Sequence, residues 1–147
     1  MTETANERIR VEAPADRCWD VAIDFESYPE WARDVRSANV LETDAEGRGT
    51  KVEYRAAALG KSVRYVLAYD YADAPEAFSW HLVEGDMVKR LDGSYRFEAE
   101  GPTSTRVHYE LAVDVSVPLP GILKRRAAGL IMGSALKELK KQVEAVA

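Results

Sequence analysis

The hydrophobic positions of this chain follow three successive patterns. Residues Glu7–Glu12 alternate between apolar and polar side chains, which predicts a first strand. Two short stretches of helical spacing follow, one starting at residues 13–16 and running through Ala22, the other from Tyr28 to near Val35. From residue 40 to residue 117 the period returns to two, in runs separated by turn signals, which predicts an antiparallel meander. Four aromatic side chains are expected to pack the two short helices together: Trp19, Phe25, Tyr28 and Trp31.

The last stretch of the chain, Pro118–Ala147, predicts one long helix. Pro118 and Pro120 end the preceding strand, because a proline cannot donate a hydrogen bond to a sheet. A change of phase near Gly129 and Gly133 predicts a bend. The apolar stripe of the helix consists of Ala128, Met132, Ala135, Leu136, Leu139, Val143 and Val146. Its charged residues fall largely away from that stripe: Lys137, Glu138, Lys140, Lys141 and Glu144.

The predicted sheet has two chemically different faces. One face carries the charged side chains and both histidines and must meet water, whereas the other carries the apolar and aromatic side chains and must be covered. A helix is about 10 Å across, whereas six or seven strands at a spacing of about 4.8 Å span on the order of 30 Å. One long helix therefore leaves part of the concave face uncovered, which predicts a cavity between the sheet and the helix.

Composition and charge narrow the class of protein. The 147 residues predict a single domain over residues 7–147, preceded by a flexible tail of residues 1–6. The formal net charge of −5 argues against a nucleic acid as partner. A single cysteine, Cys18, excludes an internal disulfide, and no apolar stretch resembles a signal peptide or a membrane span. The expected compartment is the cytoplasm.

Six of the seven tyrosines fall on the interior face of the predicted sheet: Tyr54, Tyr65, Tyr69, Tyr71, Tyr95 and Tyr109. One interpretation is a cavity wall whose phenol hydroxyls receive the polar group of an otherwise apolar ligand. The other is that tyrosine favours strands in general, and that tyrosines near strand ends reach water. The sequence leaves both interpretations open.

The remaining reactive residues have structural interpretations beside the chemical ones. His81 and His108 fall on the charged face, where solvated side chains are expected rather than a catalytic base or a metal ligand. Cys18 beside Trp19 is expected to be a buried, inert thiol, and no metal, nucleotide or hydrolase motif is present in the sequence. Carboxylates around the short helices are expected to cap helices and face water, although one at a cavity rim could bind a ligand or act as a base: Asp24, Glu26, Glu30 and Asp34.

The main basic cluster of the chain is Lys124-Arg125-Arg126, which adjoins the apolar residues Leu123 and Leu130. One interpretation is a transient contact with a membrane surface during lipid loading or delivery. The preferred interpretation is that the apolar side chains pack against neighbouring loops and the basic ones are solvated, since three charges are a weak polybasic signal.

The order of these elements resembles a known fold. A strand, two short helices, a six-stranded meander and a long C-terminal helix is the order of the helix-grip fold of the START-like superfamily (SRPBCC), which includes the birch-pollen-allergen-like proteins. The resemblance covers residues 7–146. Local matches are most similar to the bacterial polyketide cyclase/dehydrase and lipid-transport group: IRVEAP (9–14), WDVAIDFESYPEW (19–31), SWHLVEGD (79–86), LDGSYRF (91–97), TRVHYEL (105–111) and VPLPGILKRR (117–126).

The resemblance implies an α+β helix-grip fold, in which a curved antiparallel sheet of six to seven strands wraps around the long C-terminal helix. It also implies binding or transport of a hydrophobic small molecule, such as a lipid, a polyketide or an isoprenoid, in the cavity between sheet and helix. No cofactor and no stable membrane insertion are expected. The residues expected to line the cavity are Tyr54, Tyr65, Leu67, Tyr69, Phe78, Trp80, Leu82, Leu91, Tyr95, Phe97, Tyr109, Leu111, Met132 and Leu136.

Two alternatives remain beside the carrier. The first is a polyketide cyclase/dehydratase, similar to the aromatase/cyclases of this superfamily and working without metal or nucleotide, in which cavity tyrosines and a rim carboxylate position an enolate. No acid–base constellation of those enzymes matches this sequence residue by residue, so catalytic residues stay unassigned. The second is a protein-interaction module. The sequence names neither the ligand nor the oligomeric state.

Overall fold

The computed structural model of the chain describes residues 3–58, 61–115 and 134–145. Seven strands form one antiparallel sheet with the spatial order β1-β7-β6-β5-β4-β3-β2, which confirms the predicted meander. The strands are β1 (Glu3–Val11), β2 (Val35–Thr43), β3 (Gly49–Ala58), β4 (Lys61–Asp70), β5 (Ala77–Gly85), β6 (Val88–Ala99) and β7 (Thr105–Val115).

Helices cover the interior face of this sheet. Helix α1 (Ala15–Ile23), a 3-10 turn (Phe25–Ser27) and helix α2 (Tyr28–Trp31) connect β1 to β2, which lie at opposite edges. The C-terminal helix α3 is described over residues 134–145. Its three buried side chains repeat at three- and four-residue spacing, which confirms this part of the predicted stripe: Leu136, Leu139 and Val143.

Two predicted boundaries are wrong. Strand β1 begins at Glu3 rather than at Glu7, and residues 3–6, which the sequence assigned to a tail, pair with β7 because that strand extends far enough to offer its backbone groups. Helix α2 ends at Trp31 instead of continuing to Val35. The backbone of Ala32 is already extended, and Val35 opens strand β2 by pairing with Ala56 of β3.

Several predictions fall outside the described residues. These are the start of the long helix, its bend near Gly129 and Gly133, and the basic cluster Lys124-Arg125-Arg126. Among the described residues, no helix has both the length and the apolar character needed to cross a bilayer.

The aromatic residues of the short helices split into two groups. Phe25, Tyr28 and Trp31 pack edge to face in series, with ring centroids 5.7 and 5.0 Å apart, as predicted. Trp19 was expected to join them, and that prediction is wrong: its ring meets Phe78 of the sheet at 5.5 Å and Phe97 at 6.0 Å. Because α1 lies against β6, its aromatic side chain points at the sheet rather than along the helices.

Side chains attach the helices to both edge strands. From α3, Lys140 Nζ donates to the carbonyl oxygen of Arg10 at 2.8 Å, and Glu144 Oε2 accepts from the backbone N–H of Glu12 at 2.8 Å. The hydrogen bond from Lys140 and then that from Glu12 lower the pKa of the Glu144 carboxyl. At the other edge, Glu26 Oε2 accepts from the backbone N–H of Val40 in β2 at 3.0 Å.

Gly93 of β6 allows Trp80 of β5 to lie flat against the sheet. A β-carbon at this position would lie 2.5 Å from the Glu110 carbonyl oxygen and 2.5 Å from the Trp80 ring. We expect Gly93→Ala to lower the free energy of unfolding by about 1–3 kcal/mol, because backbone and ring must both move. Urea unfolding measures this, with Ser94→Ala on the opposite face of β6 as the control; equal losses in the two variants would contradict the steric argument.

Candidate ligand-binding cavity

A cavity of about 250 Å³ lies between the interior face of the sheet and the described part of α3. Strands β3 to β7 form its floor, and α2 with the loop that follows forms one side. On the α3 side the wall consists of Ser134, Ala135 and Glu138. Most of the lining is apolar, with Leu67, Leu111 and Val113 between the aromatic rings. A cavity between the sheet and the helix was predicted above from the width of the sheet.

The tyrosines of the interior face differ in what their hydroxyls contact. The hydroxyls of Tyr54 and Tyr69 bond each other at 2.7 Å, and Tyr28 donates to the carbonyl oxygen of Ala22. Tyr71 lies at the rim of the core, outside the cavity lining, and donates to the carbonyl oxygen of Gly49 at 2.5 Å. These four phenols therefore already have a partner within the protein.

The hydroxyls of Tyr65, Tyr95 and Tyr109 have no hydrogen-bond partner among the described residues. In the same part of the chain, every fully buried side-chain nitrogen or oxygen does have a partner. These three hydroxyls are therefore not sealed in the core, and since their side chains line the cavity, they open into it. These three hydroxyls are hydrogen-bond donors that no described residue of the protein satisfies.

Burial keeps these phenols protonated. It raises the pKa of Tyr65 to about 12. Burial also raises the pKa of Tyr109 and that of Tyr95, to which the neighbouring Tyr109 adds a smaller charge effect. At neutral pH all three are hydrogen-bond donors rather than bases.

Two carboxylates are the only charged groups among the described residues of the wall, at Asp34 and Glu138, and no Lys, Arg or His occurs there. Glu138 Oε2 accepts a hydrogen bond from the backbone N–H of Arg33 at 2.7 Å, which joins α3 to the loop after α2. The sequence placed Glu138 largely away from the apolar stripe of the helix. Its contribution to the cavity wall was not predicted, because the carboxylate turns toward a backbone donor 105 residues away in sequence.

The other candidate residues lie away from the cavity. His81 is exposed on the outer face, and His108 pairs there with Glu98 at 3.0 Å, so both histidines lie on the predicted face. Asp24 accepts from the hydroxyl of Ser27 at 2.7 Å. Cys18 is buried, and burial raises the pKa of its thiol. Within the described part of the chain, no group of three or more His, Cys, Asp or Glu side chains could hold a metal ion.

Comparison with known proteins assigns the family. The profile of the family described as polyketide cyclase/dehydrase and lipid transport matches residues 11–140. The chain belongs to this family. None of the curated proteins matches this family member in sequence.

Solved structures similar to this family member share its fold. A START superfamily protein from Mycobacterium smegmatis is 25% identical with a TM-score of 0.92, over 98% of this chain and 99% of that one. A protein from Thermus thermophilus is 26% identical with a TM-score of 0.81, over 98% and 99%. The ZhuI aromatase/cyclase from Streptomyces sp. R1128 is 16% identical with a TM-score of 0.83, over 98% and 94%. The START-like, helix-grip fold is thereby confirmed.

The cavity of this family member brings together most of the residues chosen from the sequence. Three of those residues do not line it. Phe97 packs under Trp19 of α1, and Leu136 faces the core. Leu82 lies next to a register shift between β4 and β5. Met132 lies outside the described residues. Those that line the cavity are Tyr54, Tyr65, Leu67, Tyr69, Phe78, Trp80, Leu91, Tyr95, Tyr109 and Leu111. That they bind a ligand stays a prediction.

Sequence reasoning missed part of the wall of this family member. Tyr28 and Trp31 were assigned only to packing between helices, yet they also face the cavity. Ala56, Val63 and Val113 carried a usable signal, since each falls on the interior parity of its strand. Asp34 was noted as a rim carboxylate, and it is the one of the four acidic candidates that lines the cavity.

Proposed function

We propose that this protein binds a hydrophobic small molecule, of the lipid, polyketide or isoprenoid class, between the sheet and the C-terminal helix. The observation that carries the proposal is the apolar cavity of about 250 Å³ between the sheet and the described part of α3. Binding in this cavity removes apolar surface of a ligand from water, which is favourable. The volume is close to the lower end of small-molecule pockets.

Native mass spectrometry of the purified protein, followed by organic extraction, tests the proposal. We expect a co-purifying hydrophobic molecule, or binding of at least one member of a panel of fatty acids, isoprenoids and aromatic polyketides. An empty protein that binds none of them would overturn the carrier function and direct attention to a protein partner. The cytoplasm stays the predicted compartment of the protein and its ligand.

A cyclase or dehydratase acting on a polyketide-like substrate is the second candidate. It is supported by the protonated phenols of Tyr65, Tyr95 and Tyr109 in the lining of the same cavity as the carboxylates of Asp34 and Glu138. A carboxylate could remove a proton from a carbon between two carbonyl groups, and the phenols could donate hydrogen bonds to the enolate oxygen. The carrier and the enzyme differ in kinetics, because an enzyme would lose rate more than binding at one of these positions.

A further inference from the structure

We infer that the ligand is an uncharged, flat molecule with a carbonyl or hydroxyl oxygen that accepts hydrogen bonds from the hydroxyls of Tyr95 and Tyr109, and that the carboxylate of the same skeleton binds more weakly. This inference rests on the function proposed above and adds the chemical class of the ligand. Three features of the described wall carry it: hydroxyl donors without a protein partner, the sign of the charges in the lining, and the aromatic rings of the lining.

The donors are built into the sheet rather than placed on a mobile loop. Tyr95 of β6 and Tyr109 of β7 are cross-strand partners, and their ring centroids are 4.6 Å apart. Only 8% of Tyr95 and 6% of Tyr109 is exposed, yet neither hydroxyl has a partner among the described residues. Both hydroxyls open into the cavity, so their hydrogen bonds there go to water or to a ligand. A ligand oxygen between the two hydroxyls would accept from both in place of water.

The charges in the described part of the wall disfavour an anion. A ligand carboxylate would have to leave water for an apolar wall, at a cost that neutral phenol donors offset only in part. The described lining offers no cation to pair with it, and the carboxylates of Asp34 and Glu138 add repulsion. A ketone or an alcohol meets the same donors with no charge to desolvate. The wall therefore favours the neutral oxygen over the ionised one.

The aromatic rings of the lining favour a ligand with a flat ring system. Trp80 lies against the sheet over Gly93, with its ring centroid 5.6 Å from that of Tyr95 and 5.7 Å from that of Tyr109. Across the cavity floor, the rings of Tyr54 and Tyr65 are stacked at 5.3 Å. Ring faces of this kind pack well against another aromatic system.

Three naphthalene probes of similar size test the inference by isothermal titration calorimetry: 2-acetylnaphthalene, 2-ethylnaphthalene and 2-naphthoate. We expect the ketone to bind tightest, the hydrocarbon about tenfold more weakly because it lacks the oxygen, and the carboxylate more weakly still. Equal binding of ketone and hydrocarbon, or tighter binding of the carboxylate, would overturn the inference and leave the proposed function standing. If none of the three binds, the inference also fails, and the proposed function is then decided by the panel of fatty acids, isoprenoids and aromatic polyketides.

Tyrosine variants test which hydroxyls of the protein donate hydrogen bonds to the oxygen of the ligand. In Tyr95→Phe and in Tyr109→Phe the affinity for the ketone should fall about threefold, and in the double variant roughly tenfold, to that of the hydrocarbon, while the affinity for the hydrocarbon stays unchanged. Tyr71→Phe is the matched control, because its hydroxyl is bonded to Gly49 outside the cavity, and its binding of both probes should equal that of the unmodified protein. A parallel loss of ketone and hydrocarbon binding would indicate a packing defect and contradict the assigned contact.

Discussion

Replacing Phe78 with Ala is expected to lower the free energy of unfolding by about 3–5 kcal/mol. Phe78 lies on β5 in the middle of the sheet and is only 2% exposed. It faces both the part of the core under α1 and the ligand cavity. Truncation would leave a void that rigid neighbouring rings cannot fill, since its ring contacts Trp19, Phe25, Tyr69, Tyr71, Trp80, Tyr95 and Phe97.

Urea unfolding of two further variants separates the void from the loss of an apolar side chain in general. Phe78→Leu keeps most of the volume and should cost less than Phe78→Ala. Val83→Ala, on the same strand but 47% exposed, should change the free energy of unfolding by less than about 0.5 kcal/mol. If Phe78→Ala were no more destabilising than Val83→Ala, the aromatic cluster would not be the main support of the fold.

Replacing Ala56 with Phe is expected to weaken ligand binding roughly 10- to 100-fold while the protein stays folded. Ala56 lines the cavity on β3, between Val35 of β2 and Val63 of β4. A benzyl group there would occupy space that a ligand needs, and the resulting overlap would cost about 1–3 kcal/mol of binding free energy. Co-purifying ligand in native mass spectra and calorimetric titration with 2-acetylnaphthalene both measure the loss.

The control for this variant is the same substitution on the other face of the sheet. Ala68 of β4 lies between Lys51 and His81 on the outer face, so Ala68→Phe adds the same ring without entering the cavity. It should bind the probe as the unmodified protein does. Unchanged binding in Ala56→Phe would mean that the ligand lies elsewhere on the molecule.

The strict alternation of the strands explains why the interior face could be predicted. Tyr95 and Tyr109 each stand between charged or polar neighbours, and a register slip would have moved those neighbours inward. The sequence was therefore sufficient to predict which side chains of the sheet face the interior. The width of the sheet, compared with that of a helix, similarly predicted an uncovered region.

Alternation does not say what covers each part of the interior face. Phe97 and Tyr95 lie on the same side of β6, yet only Tyr95 lines the cavity, because Trp19 of α1 already packs on Phe97. The position of α1 over the sheet depends on packing between distant segments. The same is true of Glu138, whose hydrogen bond to Arg33 joins residues 105 apart in sequence. Such contacts leave no periodic signal.

The side chains that hold the helices in place also occupy the open edges of the sheet. A free strand edge can pair with another chain, and this is a common route to aggregation. Glu26 already accepts from the backbone N–H of Val40 on the β2 edge, while Lys140 and Glu144 bond the backbone at the end of β1. A further strand would first have to displace these charged groups. The attachment of the helices thus also protects the protein against edge-to-edge association.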